Sequence, residues 1–301
     1  MRVSLTGATG FVGSHTVKLL AERGHQIRAF VRPARDVRWL EALGAEICRG
    51  EMADEMALRE LVAGAEVLIH TAYDHGVSDD SNQLPYLRSN IFGTLTLLEL
   101  ARLAGVGQFI CTASTYLLRP DVSTPADVRH VHIDEHSPWM SAWNTYVMHN
   151  TVLESACQTY YSQFGLSTTR FRCAGIYGLH PNLQRTVWRD IMEAIKAGQK
   201  YESRFGCDVV AIQDVAMALT AAVGNSKASG EVFNLCDMFV YNQEVAQLAR
   251  AITGSQAEVA AYDLPNPAAI SSEKVKVLGV DVHRGISGIH AYLEELNGLI
   301  S

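Results

Sequence analysis

Three glycines near the start of the chain stand where an anion could rest. Residues 2–20 read Arg-Val-Ser-Leu-Thr-Gly-Ala-Thr-Gly-Phe-Val-Gly-Ser-His-Thr-Val-Lys-Leu-Leu. Gly7, Gly10 and Gly13 lie between a short apolar run, Val3-Ser4-Leu5, and an amphipathic stretch. A turn that leads from a strand into a helix aims free backbone N–H groups and the positive end of the helix dipole at one spot. A pyrophosphate suits that spot. Gly7 permits the tight turn, Gly10 lets the backbone approach the phosphate, and Gly13 lets the helix pack on the strand. With Thr9, Phe11 and Val12 these residues form the expected dinucleotide-binding turn.

A second set of groups stands at the end of the next apolar run, Ala29-Phe30-Val31-Arg32-Pro33-Ala34-Arg35. A carboxylate there would hold an adenine ribose 2′-hydroxyl, whereas an arginine accommodates a 2′-phosphate. The tip carries Arg32 and Arg35, and guanidinium forks match phosphate oxygens. NADP(H) is therefore the expected cofactor, with NAD(H) the second choice. The run His130-Val-His132-Ile-Asp134-Glu135-His136 gathers ligating residue types. Alternation puts His130 and His132 on one side of an extended segment, yet nothing fixes a tetrahedral set. These are expected to be polar loop residues over the site, and no metal is expected. Trp139, Met140 and Trp143 either line a pocket for an apolar or aromatic substrate or pack beneath the loop.

The elements that must position these groups follow from periodicity. Strands are expected at Val3–Thr6, Gln26–Val31, Glu46–Arg49, Val67–Thr71, Gln108–Thr112, Ser167–Arg172 and Val232–Leu235. Helices are expected at Gly13–Arg23, Ala57–Val62, Leu84–Ala104, Ala142–Phe164, Thr186–Ala197 and Asn242–Ile252. Short apolar strands alternating with helices imply an α/β fold, a doubly wound parallel sheet with right-handed crossovers. Residues 118–141, with Pro120, Pro125 and Pro138, read as a long functional loop. Pro265 and Pro267 mark a turn. We divide the chain into a dinucleotide-binding core, 1–172 and 206–236, and a smaller interleaved substrate-binding region, 173–205 and 237–301.

Composition narrows the class. The 301 residues are 48% hydrophobic and 19% charged, with a formal net charge of -7, the balance of a globular enzyme rather than a nucleic-acid-binding surface. No apolar run is long enough for a membrane span, and no leader segment is expected ahead of the first strand. The six cysteines are scattered and form no Cys-x-x-Cys pair. They are expected to be buried reduced thiols in a cytoplasmic protein.

The order of motifs resembles the extended short-chain dehydrogenases/reductases, the NAD-dependent epimerase/dehydratase family. Thr6-Gly-Ala-Thr-Gly-Phe-Val-Gly13 resembles its fingerprint, and Gly50-Glu51-Met52-Ala53-Asp54 the segment beside the adenine. Ile69-His70-Thr71-Ala72-Tyr73 and Asn90-Ile-Phe-Gly93-Thr94 resemble segments along the cofactor. Phe109-Ile-Cys-Thr-Ala-Ser114, Asp134-Glu135 and Val209-Val-Ala-Ile-Gln-Asp214-Val-Ala follow in the family's order. The resemblance implies contacts to the cofactor from Glu51, Met52, Thr71, Ala72, Tyr73, Asn90, Thr112 and Cys173, and a homodimer built from the Leu84–Ala104 and Ala142–Phe164 helices.

The same resemblance assigns catalytic roles and exposes a departure. The family's Tyr-x-x-x-Lys is here Tyr146-Val-Met-His-Asn150, with Glu154 in place beyond it. Tyr146 is expected to exchange a proton with the substrate oxygen while Ser114 orients it; Thr115 or Thr112 takes the serine's role if the register differs by a residue. A free phenol has a pKa near 10 and a neighbouring ammonium favours the phenolate. Asn150 supplies no such charge, although its amide can hydrogen-bond a nicotinamide ribose. Oxidation of an alcohol, which needs phenolate, should suffer more than reduction of a ketone, which needs phenol. His149 is expected to pack rather than to replace the lysine charge.

A second departure concerns substrate. Cys207 stands where nucleotide-sugar members place a pyrophosphate-binding arginine, leaving Arg204, Arg185 or Arg189 as substitutes. His75, Thr115, Trp139, Trp143 and Arg185 are the candidate substrate contacts. The expected function is an NADP(H)-dependent oxidoreductase of a small-molecule carbonyl or secondary alcohol. The alternatives are a nucleotide-sugar epimerase or dehydratase, and a non-catalytic NADP(H)-binding regulatory protein. Neither a nucleic acid nor a membrane is an expected partner.

Overall fold

Seven apolar runs lie side by side in one parallel sheet. The computed structural model describes residues 1–74, 81–118, 132–140, 144–264 and 267–300. In chain order its strands are β1 Arg2–Thr6, β2 Gln26–Val31, β3 Glu46–Arg49, β4 Val67–His70, β5 Gln108–Ser114, β6 Ser167–Cys173, β7 Gly175–Tyr177, β8 Gly206–Ala211, β9 Val232–Leu235 and β10 Met238–Tyr241. The helices are α1 Phe11–Glu22, α2 Arg38–Ala42, α3 Glu55–Val62, α4 Leu84–Tyr86, α5 Gly93–Leu103, α6 Thr145–Phe164, α7 Arg189–Lys196, α8 Ile212–Ala222, α9 Asn242–Thr253 and α10 Gly285–Leu299.

The large sheet has the order β3-β2-β1-β4-β5-β6-β9, and every neighbour pair is parallel. Its strands are buried on both faces, so they read as near-continuous apolar runs. On one face Val17 and Leu20 of α1 and Val215 and Leu219 of α8 pack with Leu5, Ile69, Ile110 and Phe233. On the other, Leu58 and Leu61 of α3, Leu97 of α5 and Leu153 of α6 pack with Phe30, Leu68 and Phe109. The strand order reverses between β1 and β4, and a crevice opens there at the C-terminal strand ends.

All seven expected strands are present within two residues of their expected ends. The remaining three form a small sheet, β10-β8-β7, with β8 antiparallel to β10 and parallel to β7. This corrects one allocation within the division of the chain. Gly206–Ala211, expected in the core with 206–236, pairs in the small sheet instead, whereas α8 packs on α1 and β9 completes the large sheet. A third cluster, with Trp188, Ile191, Val209, Val240, Val245 and Leu293, joins this sheet to α7, α9 and α10.

The expected helix Leu84–Ala104 is not uniform. Residues Leu87–Phe92 are π-helical, and α5 begins only at Gly93. The wider turn carries buried Asn90, whose side chain accepts from Asp74 N at 2.8 Å and donates to Asp74 O at 3.1 Å. It thus ties the exit of β4 to the helix, a use typical of π-bulges beside functional sites. Helix α6 starts at Thr145, where Asn144 caps it by accepting from Val147 N at 2.8 Å. Of the loop 118–141, residues 119–131 and 141 lie outside the described residues, as do 142–143 of the expected helix and Pro265. Its described part is anchored by pairing of Ile133 with Ile270, and by Glu135, which accepts from Asn234 N at 2.8 Å. Among the described residues no helix is long and apolar enough to cross a membrane.

Candidate active site

A cavity of about 1330 Å³ runs along the C-terminal ends of the large sheet and reaches the small one. At its first end the glycines do what their spacing implies. Gly7 has φ +76°, and a Cβ there would lie 2.7 Å from Thr71 Oγ1. A Cβ on Gly13 would lie 2.1 Å from Gly7 O, so only glycine lets α1 sit this close to the turn. Gly10 caps α1 with no side-chain bond to the first N–H groups. With Thr9, Phe11 and Val12 it faces the cavity, leaving donors and helix dipole available to an anion. His180, from the loop after β7, packs its ring 5.3 Å from Phe11 and closes over this end. The cradle therefore fits a pyrophosphate.

Arg32 and Arg35 both line the cavity at the tip of β2. Arg32 bonds Asp74 at 3.2 Å, and Arg49 supports the loop through Pro33 O at 2.7 Å. The sequence reading missed Asp36, a carboxylate just past the tip that also lines the cavity. Arg38 grips it with three side-chain hydrogen bonds of 2.5–3.1 Å and holds its pKa down at about 2. Glu51 and Met52 line the adjoining wall. Gly93 matters here, because a Cβ would meet Met52 O at 2.5 Å.

Thr71, Ala72, Tyr73, Asn90, Thr112 and Cys173 line the middle of the cavity. Behind them His70 is fully committed, to Thr6 Oγ1 at 2.7 Å and to Thr94 Oγ1 at 3.0 Å. Burial pushes its imidazole down to about 3 and the Cys173 thiol up to about 12, so both stay neutral.

Tyr146, in the first turn of α6, is wedged edge-on between Tyr73, at 5.2 Å, and Tyr116, at 6.1 Å. Burial raises its phenol pKa; hydrogen bonding with Ser114 and Asn150 opposes the rise, and Cys173 and Tyr116 add to it. None of those four is a cation. Ser114 hydrogen-bonds Tyr146 and its Oγ accepts from Tyr116 N at 3.2 Å, while Thr115 donates to Cys173 O at 3.5 Å. Asn150 departs from expectation. Its Nδ2 donates to Tyr146 O one turn back at 2.8 Å, and it does not line the large cavity. Short polar side chains within a helix commonly bond back in this way. His149 is buried at 5.2 Å from the Tyr73 ring, and burial lowers it to about 4, so it carries no replacement charge. Glu154 forms two 2.7 Å bonds with Arg172, both side chains almost fully buried, and fixes α6 on β6.

The far end is formed by Ile133, Ile176, Arg204, Phe205, Phe239 and Tyr241, with Cys207 and Asp208 between them. Arg185 and Thr115 line the cavity. Trp139 does not; it lies 5.8 Å beneath the Arg172 guanidinium. Arg189 also stands away, paired with Glu193 at 2.6 Å. His75, His130 and Trp143 lie outside the described residues. Arg204 stacks on Tyr262 at 4.6 Å. Phe239 and Tyr241 went unnoticed in the sequence, although their i, i+2 spacing puts them on one strand face. Gly206 opposite them has no room for a Cβ, with ring carbons 2.6 Å away. In the acid-rich loop segment, Asp134 accepts from His136 N and Ser137 Oγ.

Residues 3–236 match the NAD dependent epimerase/dehydratase family. The chain belongs to that family. Among curated relatives, it is 37% identical over 114 residues to "Sterol demethylase protein B" of Methylococcus capsulatus, covering 38% of this chain and 34% of the relative. It is 29% identical over 305 residues to a UDP-glucose 4-epimerase of Corynebacterium glutamicum, covering 92% and 89%. Among solved structures, it matches yeast methylglyoxal/isovaleraldehyde reductase complexed with NADPH, with a TM-score of 0.81, 15% identity and coverage of 99% and 98%. At that identity the likeness shows the fold of this family member and no more.

Proposed function

We propose that this protein is an NADP(H)-dependent reductase of an apolar carbonyl compound. The observation that carries the reading is Tyr146, a buried phenol joined to Ser114 with no cation among the groups that most perturb it. Such a phenol stays protonated at neutral pH and serves as a donor, not as a base. Bound in the cavity, the nicotinamide cofactor would supply a hydride. Ser114 would hold the carbonyl oxygen, Tyr146 would give it a proton, and the paired rings of Tyr73 and Tyr116 would keep the phenol in place. The Gly7–Gly13 turn, with Thr9, Phe11 and Val12, would hold the pyrophosphate. Glu51 and Met52 would face the adenine, and Thr71, Ala72, Asn90, Thr112 and Cys173 would line the path to the nicotinamide.

Four observations support the finer assignments. The phosphorylated dinucleotide is favoured because Arg32 and Arg35 face the cavity, while Asp36, the acid that would hold a 2′-hydroxyl, is already paired with Arg38. An apolar substrate is favoured by the aromatic and aliphatic far end, and by the relative whose name refers to sterols. A homodimer through α5 and α6 is favoured by their exposed Leu103, Tyr161 and Phe164. Free cysteines, mostly buried, suit the cytoplasm.

The test is direct. NADPH and NADH are titrated by fluorescence, and the protein is then offered ketones and aldehydes of graded apolarity while nicotinamide absorbance is followed. The reading expects tighter NADPH binding and turnover that improves with apolar bulk. Turnover of UDP-sugars without net reduction would replace it with the epimerase reading. Binding with no turnover would favour a regulatory role.

A further inference from the structure

The large cavity carries a carboxylate on a wall that the proposed anionic cofactor would meet. Asp74, beyond the end of β4, lines the cavity and pairs with Arg32 at 3.2 Å. Strands β2 and β4 flank β1. The ion pair therefore reaches from one side of the glycine turn to the other, over about two strand spacings or ~10 Å. Both ends are fixed in the main chain. Asn90 holds Asp74 N and O, and Arg49 holds Pro33 O at 2.7 Å and Arg35 O at 3.4 Å. The side chains have more room, with Arg32 47% and Asp74 24% exposed. Asp36, nearer to Arg32 in sequence, is taken by Arg38. Of the two arginines at the β2 tip, Arg32 is the one paired with an acid among the described residues.

We propose that Asp74 is a specificity-determining residue, which competes with the cofactor 2′-phosphate for Arg32 and so tempers the preference for NADPH over NADH. The proposal rests on the NADP(H) reading of the β2 tip. A guanidinium held by a carboxylate must give up that partner, or share its fork, to grip a phosphate. A phosphate dianion wins the exchange, because charge-assisted bonds to phosphate are strong and a part-exposed ion pair is weak. The exchange still costs what the pair was worth, about fivefold in affinity at most. It also leaves the Asp74 carboxylate uncovered beside an anion. NADH has no 2′-phosphate to draw Arg32 away, so with NADH the pair stays and nothing is lost. Because Asn90 fixes the Asp74 main chain, the motion is confined to the two side chains. Arg35, with no acid to leave, meets the 2′-phosphate without this cost.

Two measurements, neither of them an activity, test this. Dissociation constants of NADPH and NADH are read by fluorescence for wild type, Asp74→Asn, Arg32→Ala and the double variant. Asp74→Asn keeps the shape of the side chain and removes its charge. It is expected to tighten NADPH about fivefold and NADH less than twofold. In the Arg32→Ala background the same change should gain less than twofold for either cofactor, since the competition has gone. Weaker NADPH binding in Asp74→Asn would mean that the aspartate orients Arg32 for the phosphate, and would overturn the proposal. So would an equal gain for both cofactors, or a full gain that persists without Arg32. Crystal structures of the two wild-type complexes give the second test. Arg32 is expected on the 2′-phosphate with NADPH and on Asp74 with NADH, and an intact Arg32–Asp74 pair in the NADPH complex would contradict the exchange. If wild type and Arg32→Ala bind the two cofactors alike, the NADP(H) reading falls and this proposal with it. A wild-type NADPH preference that Arg32→Ala abolishes but Asp74→Asn leaves untouched would sink the proposal alone.

Discussion

The proposed phosphate cradle and the proposed catalytic wall stand at the strand ends of the same large sheet, yet they are built differently. The cradle is made of backbone. Gly7 and Gly13 are there because a Cβ would collide with Thr71 Oγ1 or with Gly7 O, and the groups it offers are main-chain N–H. The wall is made of side chains: Tyr146 between two other tyrosines, Ser114, and an amide folded back on its own helix. A backbone site works wherever the fold forms. A side-chain site takes its chemistry from its neighbours, and among the described residues the groups that most perturb the phenol include no cation.

The comparison breaks most readily at the cradle. Gly13→Val would drive a side chain into Gly7 O and is expected to cost more than ~4 kcal/mol. Soluble folded protein and NADPH binding would be lost together, as circular dichroism and fluorescence would show. A folded Gly13→Val variant that binds NADPH would mean the cradle is not backbone-limited. Next comes the prop behind the wall. Glu154→Ala leaves Arg172 charged and buried, which should cost about 3–5 kcal/mol in urea unfolding, whereas replacing both with well-packed apolar residues should recover most of it.

A smaller effect comes from pH. His149 and His70 ionise near 6.5 when unfolded but only near 4 and 3 when folded. The unfolded chain therefore binds more protons below pH 6.5. Their contribution is full above that value and is lost as the pH falls towards 4 and 3, by about 2 kcal/mol for each histidine at pH 5. Urea midpoints at pH 7.5 and 5 should differ less in a His70→Gln variant than in wild type. The smallest expected effect sharpens the cofactor assignment. Arg35→Ala should weaken NADPH by about tenfold, the worth of one charged hydrogen bond, and leave NADH unchanged. Equal losses for the two cofactors would remove the 2′-phosphate from the account.

The sequence revealed these two regions to different depths. Seven parallel strands and the glycine turn were legible because burial on both faces and a φ of +76° restrict residue choice locally. The three strands of the small sheet were not, since β7 and β10 are three and four residues long and their partners are distant in sequence. The π-helical turn at Leu87–Phe92 was hidden because its cause is the tertiary bond between Asn90 and Asp74. The same holds for Asn150: the sequence showed that the charge was missing, but only packing shows where the amide turns. Trp139, expected either to line a pocket or to pack beneath the loop, has the Arg172 guanidinium 5.8 Å from its ring.

The central proposal is that Tyr146 works as a neutral phenol, with no cation among the described groups that most perturb it. It is tested most directly by following initial rates of ketone reduction and of the reverse alcohol oxidation against pH. Reduction is expected to hold steady from about pH 6 to 9, because a phenol with a raised pKa stays protonated, while oxidation climbs without a plateau over the same range. Asn150→Lys should bring that climb down towards neutrality. An oxidation rate in the wild type that is already level at neutral pH would mean Tyr146 is ionised there, and would contradict the account.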